Sequence, residues 1–442
     1  MERILIKDCL ILPMTSEPSG GEEAQEELVI SGDVAIEGDT ILQVGDQGEL
    51  PPNWKPTKVI DGKDHLCLPG LVNCHTHAAM TLFRSYADDL PLMYWLEKKI
   101  WPVEARLSGE DVYWGTALAL IEMIRSGTTT FNDMYFFMDE VAQAVEKIGM
   151  RACLARGLIG IGVQGEVALD ESKQLIAKWH KQAEGRINIW LGPHAPYTCP
   201  PTYLEKVLAV AEEYQVGIHI HLSETEGEIR QIQKQYGKTP VALLRELGAF
   251  RYPVVAAHCV HLTDEDIRCL AENGVGVAHN PESNMKLASG IAPVTKLRAA
   301  GVAVGIGTDG AASNNNLDML EETRTAALLQ KVATGDPQAL PAATALFMAT
   351  REGARVLGLG DEIGMLKPGY KADLILIDLK QSHWYPKHNL VSQLVYAAQA
   401  HDVDTVIING KVVMENRKIT TIDEELVWAQ VEERAKRLVE PG

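Results

Sequence analysis

HLCLPGLVNCHTH, residues 65–77, is the stretch that decides the fold of this 442-residue chain. A nearly continuous apolar run, broken by the Pro69-Gly70 turn, ends in two histidines one residue apart. On a strand, residues i and i+2 face the same side, so His75 and His77 can reach one ion. Imidazole nitrogen suits zinc, and a catalytic zinc keeps a position open for water. An isolated H-x-H pair carries little weight, so the case rests on what surrounds it.

Seven further apolar runs follow, separated by longer helical segments: TTTFNDMY (128–135), RACLARGLIG (151–160), INIWLGPHAP (187–196), VGIHIHLSE (216–224), YPVVAAHCVHL (252–262), GVGVAHNPES (274–283) and VAVGIGTDG (302–310). Amphipathic stretches such as 109–127 and 201–215 lie between them. Eight strand–helix units predict an α/β fold, a (β/α)8 TIM barrel, whose strands are buried on both faces. A doubly wound open sheet is disfavoured, because no G-x-G-x-x-G or phosphate loop follows the first strand. The barrel places its active site at the C-terminal ends of the strands. There the sequence sets His75 and His77, Asp133, Arg156, His194, His221 with Glu224, His258 with His261, His279, and Asp309. Polar groups recurring at one end of buried strands are costly unless they serve a site.

Outside the barrel, RILIKDCLIL and ELVISGDVAIEGDTILQVG read as short antiparallel strands, and GYKADLILIDL and DTVIINGKVVMENRKI have the same character. The two chain ends therefore predict a small β-sandwich: residues 1–65 and 367–442, with a terminal helix, around a barrel of residues 66–366. The acidic segment 14–27 reads as a surface loop. The formal charge of -19, from 41 basic and 60 acidic residues, excludes nucleic acid and anionic membrane as partners. Seven cysteines, none in a C-x-x-C pair, predict a reduced cytoplasmic protein rather than a disulfide scaffold or thiolate zinc site. There is no signal peptide and no apolar run long enough to span a bilayer. An apolar face on the barrel helices would allow a homo-oligomer.

HIHLSE repeats the H-x-H spacing with His219 and His221, and both can point inward. Asp309, in GIGTDG, ends the last strand and offers an anionic ligand. No lysine ends the fourth strand to carry a bridging carbamate, so one metal is expected rather than two.

The segments 69–105, GPHAPY (192–197), HIHLSETEGE (219–228), AHCVHL (257–262), HNPESNMKLASG (279–290), GTDGAASNN (307–315) and the tail IGMLKPGYKADLILIDL (363–379) resemble the amidohydrolase superfamily over nearly the whole chain. The likeness is greatest to the branch that deaminates 5-methylthioadenosine and S-adenosylhomocysteine, with guanine and s-triazine deaminases as relatives. The resemblance implies one Zn2+ per chain on His75, His77, His221 and Asp309, with His221 chosen over His219 because it precedes the catalytic Glu224 by three residues. It implies that His194 and Glu224 contact the base, that Glu104 accepts hydrogen bonds from the ribose hydroxyls, and that Arg156 meets the amino-acid carboxylate of S-adenosylhomocysteine. Residues 161–173 carry no second arginine where some members have one. Asp309 and Ser313 join the substrate-binding set.

The implied chemistry is hydrolytic deamination of a purine nucleoside to the inosine analogue and ammonia. Zinc lowers the pKa of water toward neutrality, Asp309 takes a proton, His258 orients the water, and Glu224 protonates the ring nitrogen beside the carbon attacked. Competing readings remain for several residues: Glu104 as a helix-start carboxylate, Arg156 as an ion-pair partner, His261 and His279 as hydrogen-bonded shell groups. The alternative functions are another aminohydrolase, acting on adenosine, guanine, a pterin or an s-triazine, and a non-catalytic metal-binding barrel.

Overall fold

The computed structural model describes residues 2–16, 28–161 and 164–440; all but the first three residues of the acidic 14–27 segment lie outside them. Eight parallel strands follow one another around the barrel: β6 (Leu71–Thr76), β7 (Thr128–Tyr135), β8 (Arg151–Leu158), β9 (Ile187–Pro193), β10 (Ile218–Leu222), β11 (Val254–His258), β12 (Gly276–His279) and β13 (Val304–Ile306). Nearly every residue in them is buried, as strands covered on both faces require. The first and last strands meet at the upper rim. The Asp309 N–H donates to the His75 carbonyl at 2.9 Å, and the Asn73 amide donates to Thr308 Oγ1 at 2.8 Å. Glycine is needed at 305, since a Cβ there would fall 2.4 Å from Cys74 Sγ and hold the two strands apart. The parallel barrel stands in place of the open sheet.

Helices cover the outside and start on sequence-readable signals. Gly109–Arg125 and Asp264–Glu272 each begin at a capping box, Ser108 with Asp111 and Thr263 with Asp266. These reciprocal bonds satisfy backbone donors that a helix start leaves open. The first buries Val112, Leu120, Ile121 and Ile124 against the barrel at helical spacing.

Both ends of the chain enter a second sheet of nine strands: β1 (Arg3–Ile11), β2 (Ile30–Glu37), β3 (Thr40–Val44), β4 (Lys58–Asp61), β5 (His65–Pro69), β14 (Leu374–Asp378), β15 (Val403–Ile408), β16 (Lys411–Glu415) and β17 (Lys418–Ile419). The sheet is mixed rather than purely antiparallel: β1 runs parallel to β4 and to β5, while β5 pairs antiparallel with β14. Residues 66–69, which the 66–366 boundary puts in the barrel, thus pair, together with His65, in this sheet instead. HLCLP and LVNCHT look like one run, but the chain turns at Gly70, where a Cβ would meet the Thr129 side chain at 2.1 Å. A buried ion pair, Arg151 Nε to Asp373 Oδ2 at 2.7 Å, ties the foot of β8 to the segment entering β14. Among the described residues no helix is long and apolar enough to cross a membrane.

Candidate active site

His75 and His77 leave the top of β6 on the same side, as the H-x-H spacing predicts. Their Nε2 atoms stand 3.3 and 3.4 Å from Asp309 Oδ1, and His221 Nε2 lies 3.2 Å from His77 Nε2. His77 Nδ1–H donates to the Met134 carbonyl at 2.6 Å, and His221 Nδ1–H to the His194 carbonyl at 2.7 Å. With those protons fixed on Nδ1, both Nε2 atoms present lone pairs to each other. The buried His75 Nε2 has no hydrogen-bond partner. Lone pairs converging in this way repel unless a cation sits among them. A tetrahedral ion with bonds of about 2.0–2.1 Å sets its ligand atoms roughly 3.3–3.4 Å apart, the spacing seen here. His75, His77 and His221 converge as one candidate ligand group, with Asp309 at that spacing from His75 and His77, and His75, His258 and Asp309 form a second group that overlaps it. The chemistry of these donors suits a single ion.

His219 is turned elsewhere. Its Nε2 lies 2.7 Å from His75 Nδ1, on the far side of that ring, so it orients a ligand rather than joining the set. Burial lowers the His75 pKa to about 3 and pushes those of His219 and His221 well below the ordinary value, which keeps the imidazoles neutral. Burial alone would raise the Asp309 carboxyl, but the His75 ring beside it prevails and holds it well below the usual range. Ser283 and Ser313 hydroxyls also donate to Asp309 Oδ2, at 2.6 and 2.9 Å.

His258 and Glu224 sit beside this cluster. His258 Nδ1 is held by Asn284 Oδ1 at 2.9 Å, and its Nε2 lies 3.9 Å from Glu224 Oε2. Burial raises the Glu224 pKa, only partly offset by His258. For His258 burial works against the charge, yet Glu224 and Asp309 outweigh it and its pKa rises. Ser289 Oγ approaches Glu224 Oε1 at 3.4 Å. The backbone beneath Glu224 is held by Glu228, whose two carboxylate oxygens accept the N–H groups of Ser223 at 3.0 Å and Glu224 at 2.8 Å. Three non-glycine residues at these strand ends, Ser223 (φ 54°), His258 (φ 72°) and Asp309 (φ 59°), adopt left-handed backbone. Such conformations cost of order 1–3 kcal/mol each and persist where the surroundings impose them.

A small chamber lined by His77, Met80, Tyr135 and His194 lies over the cluster and shares Glu104, Phe136 and Ile159 with a larger cavity of about 960 Å³. Tyr135 donates to Glu104 Oε1 at 2.7 Å; burial lifts that carboxyl to about 7 despite the donor. His194, its pKa lowered to about 4 by burial, bonds Thr198 Oγ1 at 2.9 Å. Arg156 is in the large cavity, and its Nε donates to Glu171 at 2.8 Å. Asp133 caps the segment after His77 by accepting the Ala78 N–H at 2.9 Å.

His261 bonds the Ser289 carbonyl at 2.7 Å. His279 is a buried core group, and neither ring nitrogen has a hydrogen-bond partner among the described residues. The sequence reading passed over Ser283, Asn284, Ser289 and Glu228. HNPESNMKLASG contains the first three, but nothing in their spacing says which side chain turns inward.

Three imidazoles and a carboxylate thus gather at the C-terminal rim of a parallel barrel, next to a buried histidine–glutamate pair. The chain belongs to the amidohydrolase family, whose pattern residues 66–413 match. It is 58% identical over 439 residues, 99% of each chain, to a 5-methylthioadenosine/S-adenosylhomocysteine deaminase of Pelotomaculum thermopropionicum. A protein of the same description from Dictyoglomus thermophilum is 52% identical, again over 99% of each chain. An adenosine deaminase from Xanthomonas campestris, crystallised with bound zinc, superposes with a TM-score of 0.91 at 38% identity, covering 98% of each chain. The zinc complex of an atrazine chlorohydrolase from Arthrobacter aurescens gives a TM-score of 0.88 at 26% identity, over 98% of this chain and 100% of that one.

Proposed function

We propose that the protein is a zinc-dependent deaminase of adenine thioether nucleosides, converting 5'-methylthioadenosine and S-adenosylhomocysteine to their inosine analogues with release of ammonia. The observation that carries this reading is Glu224, a buried carboxyl of raised pKa set 3.9 Å from His258 beside the ligand quartet. A reaction that expels an amine from a purine needs a proton delivered to the ring, and a carboxyl whose hold on its proton burial strengthens is suited to deliver it.

His75, His77, His221 and Asp309 would hold one zinc ion per chain, which when bound supplies Lewis-acid activation of water. Asp309, held anionic, takes a proton from the attacking water. His258, braced by Asn284, directs that water at the carbon bearing the exocyclic amine. Glu224 protonates the adjacent ring nitrogen, so the ring accepts the electron pair. As the carbon–nitrogen bond breaks, the amine takes the proton held by Asp309 and leaves as ammonia, while the hydroxyl on the same carbon returns its proton to Glu224 and becomes the product carbonyl. His194 supports the base and Glu104 the ribose diol, with Ser313 beside Asp309 at the base's edge. The cavity beyond Glu104 has room for a 5' substituent. Seven unpaired, buried cysteines support a reducing, cytoplasmic setting.

The test is ammonia release by the zinc-loaded protein with 5'-methylthioadenosine, S-adenosylhomocysteine, adenosine, guanine and an amino-s-triazine. Turnover led by the thioether nucleosides, at one zinc per chain, is the expected result. Turnover of guanine or the triazine alone would remove the roles of Glu104 and Arg156, and a zinc-loaded but inert protein would remove the reading as a whole.

A further inference from the structure

Arg156, at the end of β8, and Glu171, on the helix Gln164–Trp179, meet in the wall of the large cavity. Arg156 Nε donates to Glu171 Oε2 at 2.8 Å, Nη1 turns onto the Gly157 carbonyl, and the guanidinium stacks over Phe136 at 5.1 Å from the ring centroid. No hydrogen bond of Nη2 is seen among the described residues, and Arg156 lines the cavity.

The charges around that space do not balance. Three carboxyl groups, Asp139, Glu140 and Glu171, line it together with Glu104, which burial lifts to about 7 and so only partly charges, against two cations, Arg156 and Lys178. Lys178 is already paired with Asp139 at 2.6 Å. Such a wall repels an occupant whose only charge is negative and favours one that brings its own cation. Given the substrate reading above, on which this rests, we infer that Glu171 receives the α-ammonium of an amino-acid thioether carried on the nucleoside. The spare donors of Arg156 take the carboxylate of the same zwitterion. The adjacent cation and anion thus form a two-point receptor, and Glu171 determines specificity for zwitterionic over neutral or anionic 5' substituents.

The test compares the zinc enzyme with its Glu171→Gln variant on three thioethers: 5'-methylthioadenosine, S-adenosylhomocysteine, and the adenosyl thioether of 3-thiopropionic acid, which keeps a carboxylate but has no ammonium. Glutamine preserves the shape and removes the charge. The ratio of kcat/KM for S-adenosylhomocysteine over methylthioadenosine should fall about tenfold, mainly through KM, as one half-exposed charge-assisted contact would give. The thiopropionate-to-methylthioadenosine ratio should rise. An unchanged or higher S-adenosylhomocysteine ratio overturns the inference, since Glu171 would then only be masking Arg156. A wild-type enzyme that deaminates methylthioadenosine but not S-adenosylhomocysteine overturns it alone. One that deaminates no nucleoside overturns the substrate reading beneath it.

Discussion

Replacing Glu228 with glutamine isolates what a carboxylate does at this position that an amide cannot. The two Glu228 oxygens accept the Ser223 and Glu224 N–H groups at 3.0 and 2.8 Å. Glutamine keeps one of these contacts and turns an NH2 group on the other. Losing a bond to a charged acceptor costs about 1.5–3 kcal/mol, and a buried, unmet N–H adds roughly 1–3 kcal/mol. Against this, burial lifts the Glu228 carboxyl from 4.5 to about 7. Ionising it in the fold therefore costs about 3 kcal/mol above neutral pH, and glutamine escapes that cost. The net loss of stability is at most about 3 kcal/mol, a fall in Tm of less than about 10 °C. Geometry has no such compensation, because the N–H that loses its partner belongs to the left-handed turn that aims Glu224. A misplacement on the order of 1 Å can cost about 100-fold in rate. Glu228→Gln should therefore remain folded, retain its zinc and its KM, and lose kcat about 10- to 100-fold in the ammonia assay. A folded, zinc-loaded variant with kcat within about twofold of wild type would refute the reasoning.

Glu224→Gln should lower kcat about 10²- to 10⁴-fold while zinc content by atomic absorption stays at the wild-type level; retained turnover would remove Glu224 as the acid. Ser283→Ala deletes one of two hydroxyls on Asp309 Oδ2, and zinc affinity by chelator competition should weaken about tenfold or more. In the metal-stripped protein, burial depresses His75 and His279 to about 3 and His194 to about 4. The unfolded chain protonates these rings first, so each removes stability as pH falls below about 6.5, by up to about 1.4 kcal/mol per pH unit, while Glu104 and Glu228, lifted to about 7, take their protons first in the fold and add stability over the same range. Melts of the stripped wild type and its His279→Asn variant between pH 7 and pH 5 isolate one ring: on acidification the variant should lose less Tm than wild type, and equal pH slopes would contradict this.

The candidate ligands were legible because each lies at or just past the end of an apolar strand. His75 and His77 share a face by the two-residue repeat, and Asp309 closes the last strand. His219 and His221 could not be separated by spacing, since both point inward. What separates them is depth, with His219 one layer lower and against the back of the His75 ring. Glu228 had a signal that misdirects. Thr225-Glu226-Gly227-Glu228 reads as a capping box, and Thr225 does accept the Glu228 N–H at 3.2 Å. Its reciprocal half is displaced, and the carboxylate reaches past the cap to Ser223 and Glu224. The competing reading of Arg156 as an ion-pair partner is also seen, though its partner Glu171 lies on the following helix. The strand HLCLP could not be told from the barrel run after it by composition, because both are rich in apolar residues and only Gly70 separates them.

The pairing of β5 with β14 has a consequence for the order in which the protein can assemble. Pro69 sits opposite Leu374 across that ladder, so the strand leading directly into the first two zinc ligands waits for a partner made about 300 residues later. Arg151 likewise stays an unpaired cation at the foot of the barrel until Asp373 leaves the ribosome. Contacts of such sequence separation are slow to form and leave edges exposed in the interim. A nascent chain holding the whole barrel but lacking the last strands would carry every ligand and still lack the sheet that anchors β6. Zinc capture should therefore be a late event in biosynthesis, following chain completion rather than nucleating the barrel.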